Sequence, residues 1–138
     1  MHFALETDYA VRLVAVLADS VQSGVESMDA ASLGEAACIP KPTALKVLRR
    51  LKDRGIIQST LGASGGYRLA RSPSEITLIQ VIEALEGTLE ISRCISDCYE
   101  CSRTGTEHDC CKFHRLFETL NKSLRAELGK INFEGKNL

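Results

Sequence analysis

CIPKPTALKVLRRLKDRGI, residues 38–56, decides what kind of fold the chain adopts. Within it Ala44, Val47, Leu48 and Leu51 recur at i, i+3, i+4 and i+7, the spacing of one helix face turned to a core. Pro42 suits the first turn of that helix, Pro40 stops whatever precedes it, and Gly55 is a natural C-terminal stop. The opposite face carries Lys41, Thr43, Lys46, Arg49, Arg50 and Asp53. Just before it, residues 29–37 (DAASLGEAA) predict a short helix with Asp29 as N-cap and Leu33, Ala36 and Ala37 inward. Cys38, in the turn, reads as a small buried apolar residue with no redox role. A short helix, a tight turn and a basic-faced helix make a helix-turn-helix, whose second helix can enter a major groove.

N-terminal to this unit, Tyr9, Leu13, Val14 and Leu17 predict a first helix, with Thr7 expected to cap it and Asp8 favourably placed at the positive end of its dipole. C-terminal to it, IIQSTLGASGGYRLA, residues 56–70, reads as two short strands around a glycine-bearing turn. Following a helix-turn-helix, such a hairpin is expected to be a wing, with Ser64, Gly65, Gly66, Tyr67 and Arg68 beside DNA and Arg71 near the phosphates. Thr77, with Gln80 three residues on, predicts a capping box for a fourth helix that Gly87 ends. Its inward residues are Leu78, Val81, Ile82 and Leu85. Near the C-terminus, Phe113, Leu116, Phe117, Leu120, Leu124 and Leu128 form an apolar stripe about five turns long. A chain of 138 residues has little surface left to cover such a stripe, which is expected to pack on a second copy of the chain.

These elements predict a mainly α fold with a small β-hairpin wing. Residues 1–87 form a winged helix-turn-helix, residues 88–114 a cysteine-rich sensor segment, and residues 115–138 a C-terminal dimerisation helix and tail. The charge distribution agrees. Between Cys38 and Pro73 stand eight basic residues and one acid, Asp53, a local +7 that leaves −8 for the rest of a chain whose total is −1. Such a block is an electrostatic footprint for phosphates. The first twenty residues lack both the charged-then-apolar order of a signal peptide and a membrane-spanning run, so a cytoplasmic protein without membrane contact is expected.

CISDCYECSRTGTEHDCCKFH, residues 94–114, holds five of the six cysteines in a segment too polar to build a core. In a reducing compartment, cysteines at tight spacing point to metal ligation or redox chemistry. By ligand type alone, an iron–sulfur cluster and a tetrahedral zinc site are both open. Zinc would use the C-x-x-C at Cys98 and Cys101 with the C-x-x-H at Cys111 and His114.

The strings IPKPTALKVLRRLKDRGI, GASGGYRLA and TLIQVIEALEG, followed by a cysteine segment ending in C-x-x-H, resemble the Rrf-type winged-helix regulators, a bacterial family that includes IscR, NsrR and CymR. The likeness runs to about Leu128. It implies a homodimer on palindromic promoter DNA, with repression the expected mode, and a two-iron or four-iron cluster held by three cysteines and a fourth ligand. Cys94 matches the first cysteine and Cys111 the last, and Cys101 is preferred in the middle, with Cys98 and Cys110 as alternatives. The fourth ligand is His114 in the manner of IscR, or Asp8, donated across the dimer, in the manner of NsrR. The five candidate cysteines depart from the even spacing of IscR-like members. Leu45 and Leu61 also stand where many relatives carry polar or basic residues, so a different target sequence is implied.

The expected function is therefore a DNA-binding regulator sensing iron–sulfur status, redox or nitric oxide. Structural zinc and control by thiol chemistry or a protein partner are the alternatives. An electron carrier would not need the basic third helix and wing. An enzyme with a cysteine nucleophile and His114 as base would need a strand-to-helix nucleophile turn and a third orienting group, and the sequence has neither.

Overall fold

The computed structural model describes residues 2–63, 65–103 and 111–135. Five helices and one hairpin follow in chain order: α1 (Leu5–Gln22), α2 (Ala30–Ala37), α3 (Lys41–Asp53), β1 (Ile57–Thr60), β2 (Gly66–Leu69), α4 (Leu78–Glu86) and α5 (Lys112–Lys130). Single 3-10 turns lie at Pro73–Glu75 and Arg93–Ile95. Among the described residues the chain is mainly α with one small two-stranded sheet.

Local chemistry sets most of the boundaries. The Asp29 carboxylate accepts from Ser32 N at 3.0 Å, capping α2. Thr77 and Gln80 form a capping box on α4, with Thr77 N donating to Gln80 Oε1 at 3.1 Å. Gly55 follows α3 with φ +71°, a left-handed conformation that costs a glycine little.

The core is built where the periodicity places it. Leu13, Val14 and Leu17 of α1, Leu33 and Ala37 of α2, the four apolar positions of α3, and Val81, Ile82 and Leu85 of α4 are all buried. Full burial of each large aliphatic side chain contributes roughly 1.5–3 kcal/mol before chain entropy is counted.

Three expectations need correction. Thr7 caps nothing: α1 begins at Leu5, and the buried Thr7 hydroxyl donates to Glu86 Oε1 at 2.5 Å, fastening α1 to the end of α4. Ala36 is exposed, because so short a helix turns only a narrow stripe inward. Cys38 is also exposed: it ends α2 in the left-handed region (φ 57°, ψ 46°), which swings its side chain outward while Ile39 takes the buried place.

The hairpin pairs Ile57 with Leu69 and Thr60 with Gly66. A third segment joins it, since Met28 N donates to Tyr67 O at 3.0 Å and Tyr67 N to Met28 O at 2.8 Å. This close approach is why Gly66 is a glycine: a Cβ there would collide with the Met28 carbonyl group. The chain after α5 returns to the body of the fold, with Leu78 N donating to Ile131 O at 2.8 Å and Phe133 N to Pro73 O at 3.1 Å. The Phe133 side chain, 1% exposed, lies in the main core.

Candidate functional site

Two regions gather the chemistry, the outward face of α3 with the wing, and the cysteine segment between α4 and α5. On α3, Lys41, Leu45, Lys46, Arg49 and Lys52 are exposed, whereas Thr43 and Arg50 are half-buried at the side of the helix. Lys46 Nζ donates to Glu6 Oε1 at 2.6 Å, and Arg50 Nη1 to Glu6 Oε2 at 3.0 Å. Arg50 Nη2 donates to the Leu85 carbonyl at the end of α4. The hydrogen bond and charge of Lys46, with Arg50 behind them, hold the Glu6 carboxyl below the usual carboxylate value.

In the wing, Arg68 and Gln58 face solvent on neighbouring strands, and Arg68 Nη2 donates to Gln58 Oε1 at 3.2 Å. Gly65, Gly66 and Tyr67 are half-buried beneath, while Leu61 in the turn is 98% exposed. Ser64 lies outside the described residues.

In the cysteine segment, Cys94 sits in the 3-10 turn that Ser92 caps, with Sγ 3.2 Å from Ser92 Oγ. Cys98 is exposed, Cys101 and Cys111 are half-buried, and Cys111 immediately precedes α5. Cys110 lies outside the described residues. His114, in the first turn of α5, places Nδ1 2.8 Å from the Cys94 carbonyl oxygen. A carbonyl can only accept, so Nδ1 donates this hydrogen bond, and Nε2 is the nitrogen a ligating histidine so held would offer to a metal. Asp8 is exposed in the first half of α1.

Among the described residues no three His, Cys, Asp or Glu side chains converge at metal-binding distance, and no disulfide joins the described cysteines. The donors nevertheless fit by type, since soft thiolates and an imidazole are what iron–sulfur clusters and zinc take. Of the sequence-derived candidates, the fold brings the His114 ring to the backbone carbonyl of Cys94.

A second set of contacts ties this segment to the helices on either side. Asn121, the buried residue of α5, accepts from Ile91 N at 3.1 Å and donates to Leu89 O at 3.0 Å. Arg125 pairs with Glu83 of α4, whose Oε1 also accepts from Leu89 N at 2.9 Å. Burial alone would raise the Glu83 carboxyl, but hydrogen bonds from Arg125 and Leu89 N and the Arg125 charge outweigh it and hold the group below its usual value. Sequence reading missed Glu6, Glu83, Arg125 and Phe133, whose partners lie dozens of residues away. Asn121 did carry a signal, as the polar residue at stripe spacing between Phe117 and Leu124.

The Rrf2 family, described as "Iron-dependent Transcriptional regulator", matches residues 4–135. A Neisseria meningitidis protein named as an HTH-type transcriptional regulator is 28% identical over 135 residues, 97% of this chain and 86% of that one. Among solved structures, CymR, the global cysteine regulator of B. subtilis, superposes with a TM-score of 0.74 at 19% identity, covering 97% of this chain and 94% of that one. IscR of T. potens superposes with a TM-score of 0.71 at 24% identity, covering 96% and 83%.

Proposed function

The chain belongs to the Rrf2 family of transcriptional regulators, and from that premise we propose that it is a cytoplasmic homodimer whose grip on a palindromic promoter site, expected to repress, is set by an iron–sulfur cluster in residues 94–114. The family and the relatives named above are regulators of transcription rather than enzymes. The observation that carries the sensor reading is the 2.8 Å contact between His114 Nδ1 and the Cys94 carbonyl, which brings the two ends of the cysteine segment together. Cys94, Cys101 and Cys111 would supply thiolates, with Cys98 and Cys110 as alternatives, and the fourth place would fall to His114 or to Asp8 of the partner subunit. A cluster so held would supply chemistry responsive to oxidants, iron supply or nitric oxide.

The remaining steps belong to the chain's own residues. Rearrangement of residues 94–114 pulls on Asn121 and Arg125, which hold α5 to Leu89, Ile91 and Glu83. The exposed Phe113, Leu116 and Leu120 of α5 are the surface a second copy would cover. A shift of α5 against α4 therefore alters the spacing of the two α3 helices and their fit to two half-sites. Lys41, Thr43, Lys46, Arg49 and Arg50 would lie in or beside the groove, and Arg68 would grip the backbone from the wing.

Anaerobic purification with a visible spectrum and iron, sulfide and zinc analysis tests the sensor. Matched iron and sulfide with broad visible absorption, lost in Cys94→Ser, Cys101→Ser and Cys111→Ser, is the expected result. The C-x-x-C and C-x-x-H pairs favour zinc as the second reading, and a colourless zinc protein would establish it. For DNA, about six phosphate contacts per dimer predict a log–log salt slope near about −5. An affinity indifferent to salt would refute that part.

A further inference from the structure

We infer that Glu6 is an internal counter-ion that competes with DNA phosphate for Lys46, and that duplex must displace it from Lys46 to bind. The inference rests on α3 being the helix that meets DNA.

Lys46 and Arg50 are one helical turn apart, and each takes a different oxygen of the same carboxylate, at 2.6 and 3.0 Å. Two cations around two anionic oxygens is the arrangement with which a recognition helix takes a phosphate. The two cations are not equally committed. Arg50 is pinned from its other nitrogen by the Leu85 carbonyl, whereas the Lys46 side chain is 65% exposed on a flexible stem and can swing outward.

Arg50, which donates to Glu6 Oε2 at 3.0 Å, keeps the carboxylate from following Lys46 outward, and the chain on either side of it is tied to the end of α4. Ala4 N donates to Glu86 Oε1 at 2.7 Å, and the buried Thr7 hydroxyl reaches the same oxygen at 2.5 Å. Glu6 is therefore a fixed counter-charge at the edge of the most basic surface in the chain. It takes one cation per protomer out of sequence-independent phosphate binding, so that a duplex must offer good groove contacts before Lys46 changes partner.

The test is fluorescence anisotropy of the full-length protein against a random-sequence duplex and a palindromic duplex recovered by selection, each over a range of salt. Glu6→Gln should bind both duplexes about three- to tenfold more tightly at low ionic strength. The salt slope should steepen by about 0.9 per freed lysine, nearly two per dimer. In a Lys46→Ala background the effect of Glu6→Gln should vanish. Weaker binding by Glu6→Gln with an unchanged slope would overturn the inference and make Glu6 a brace for α3. Unchanged affinity and slope would overturn it as well. If Lys46→Ala and Arg49→Ala leave DNA affinity untouched, the assignment of α3 has failed instead. Glu6→Ala with a thermal unfolding curve provides a second variant, so that a folding defect is not taken for a binding effect.

Discussion

Asn121→Ala should loosen the joint between the cysteine segment and α5. The side chain is 9% exposed and satisfies two backbone groups, the Ile91 N–H at 3.1 Å and the Leu89 carbonyl at 3.0 Å. Truncation leaves both without that partner, and a buried polar group stripped of its hydrogen bond costs about 1–3 kcal/mol. Arg125 Nη1 also reaches the Leu89 carbonyl, at 3.5 Å, so only part of the second loss is felt. The sum is about 2–4 kcal/mol, a large share of the roughly 5–15 kcal/mol that holds a domain together. Asn121→Asp keeps the acceptor for Ile91 but loses the donation to Leu89, so it should cost less than alanine at the first group and more at the second. Denaturant unfolding at fixed protomer concentration measures the loss, since dimerisation would otherwise shift it. Amide exchange at Ile91 should quicken in Asn121→Ala and stay slow in Asn121→Asp. A loss below about 0.5 kcal/mol, the range of an ordinary surface change, would refute the claim that this residue joins α5 to the segment.

Phe133→Ala removes a 1% exposed side chain from the main core and should cost about 3–5 kcal/mol by the same unfolding assay. Gly66→Ala drives a methyl into the Met28 carbonyl and should both destabilise the fold by about 1–3 kcal/mol and weaken DNA binding, with loss of slow exchange at Tyr67 N. For Glu83, the folded carboxyl lies below the ordinary 4.5, so its stabilising pairing with Arg125 is present above pH 4.5 and is lost as pH falls through the lower folded value. Unfolding curves on either side of that pH should therefore differ less in Glu83→Gln than in the parent, and an equal difference would refute the pairing.

Much of the fold was legible because the chemistry that sets helix ends is local. Asp29 caps α2 through a residue three positions away, and Thr77 and Gln80 cap α4 across the same span. Thr7 looked like a third example and was not, because its hydroxyl finds a better partner 79 residues later in Glu86. A hydroxyl near a helix start cannot reveal in sequence which acceptor wins. Cys38 failed for a different reason: its residue type argues for burial, but its position at the end of α2 puts it in the left-handed region and turns it outward. For the candidate site, the basic face of α3 and the donor-rich segment were both readable, as was the C-x-x-H that spans the start of α5.

What the sequence by itself determined is the set of helices, the hairpin, their buried faces and the net positive block from Cys38 to Pro73, because periodicity, capping and composition act within a few residues of each other. Only the tertiary structure decided which of those charges are already spoken for. Glu6 reaches Lys46 and Arg50 across 40 and 44 residues, Glu83 reaches Arg125 across 42, and Phe133 closes a core laid down more than a hundred positions earlier in α1. Those pairings form where elements pack against one another, at separations no local pattern encodes.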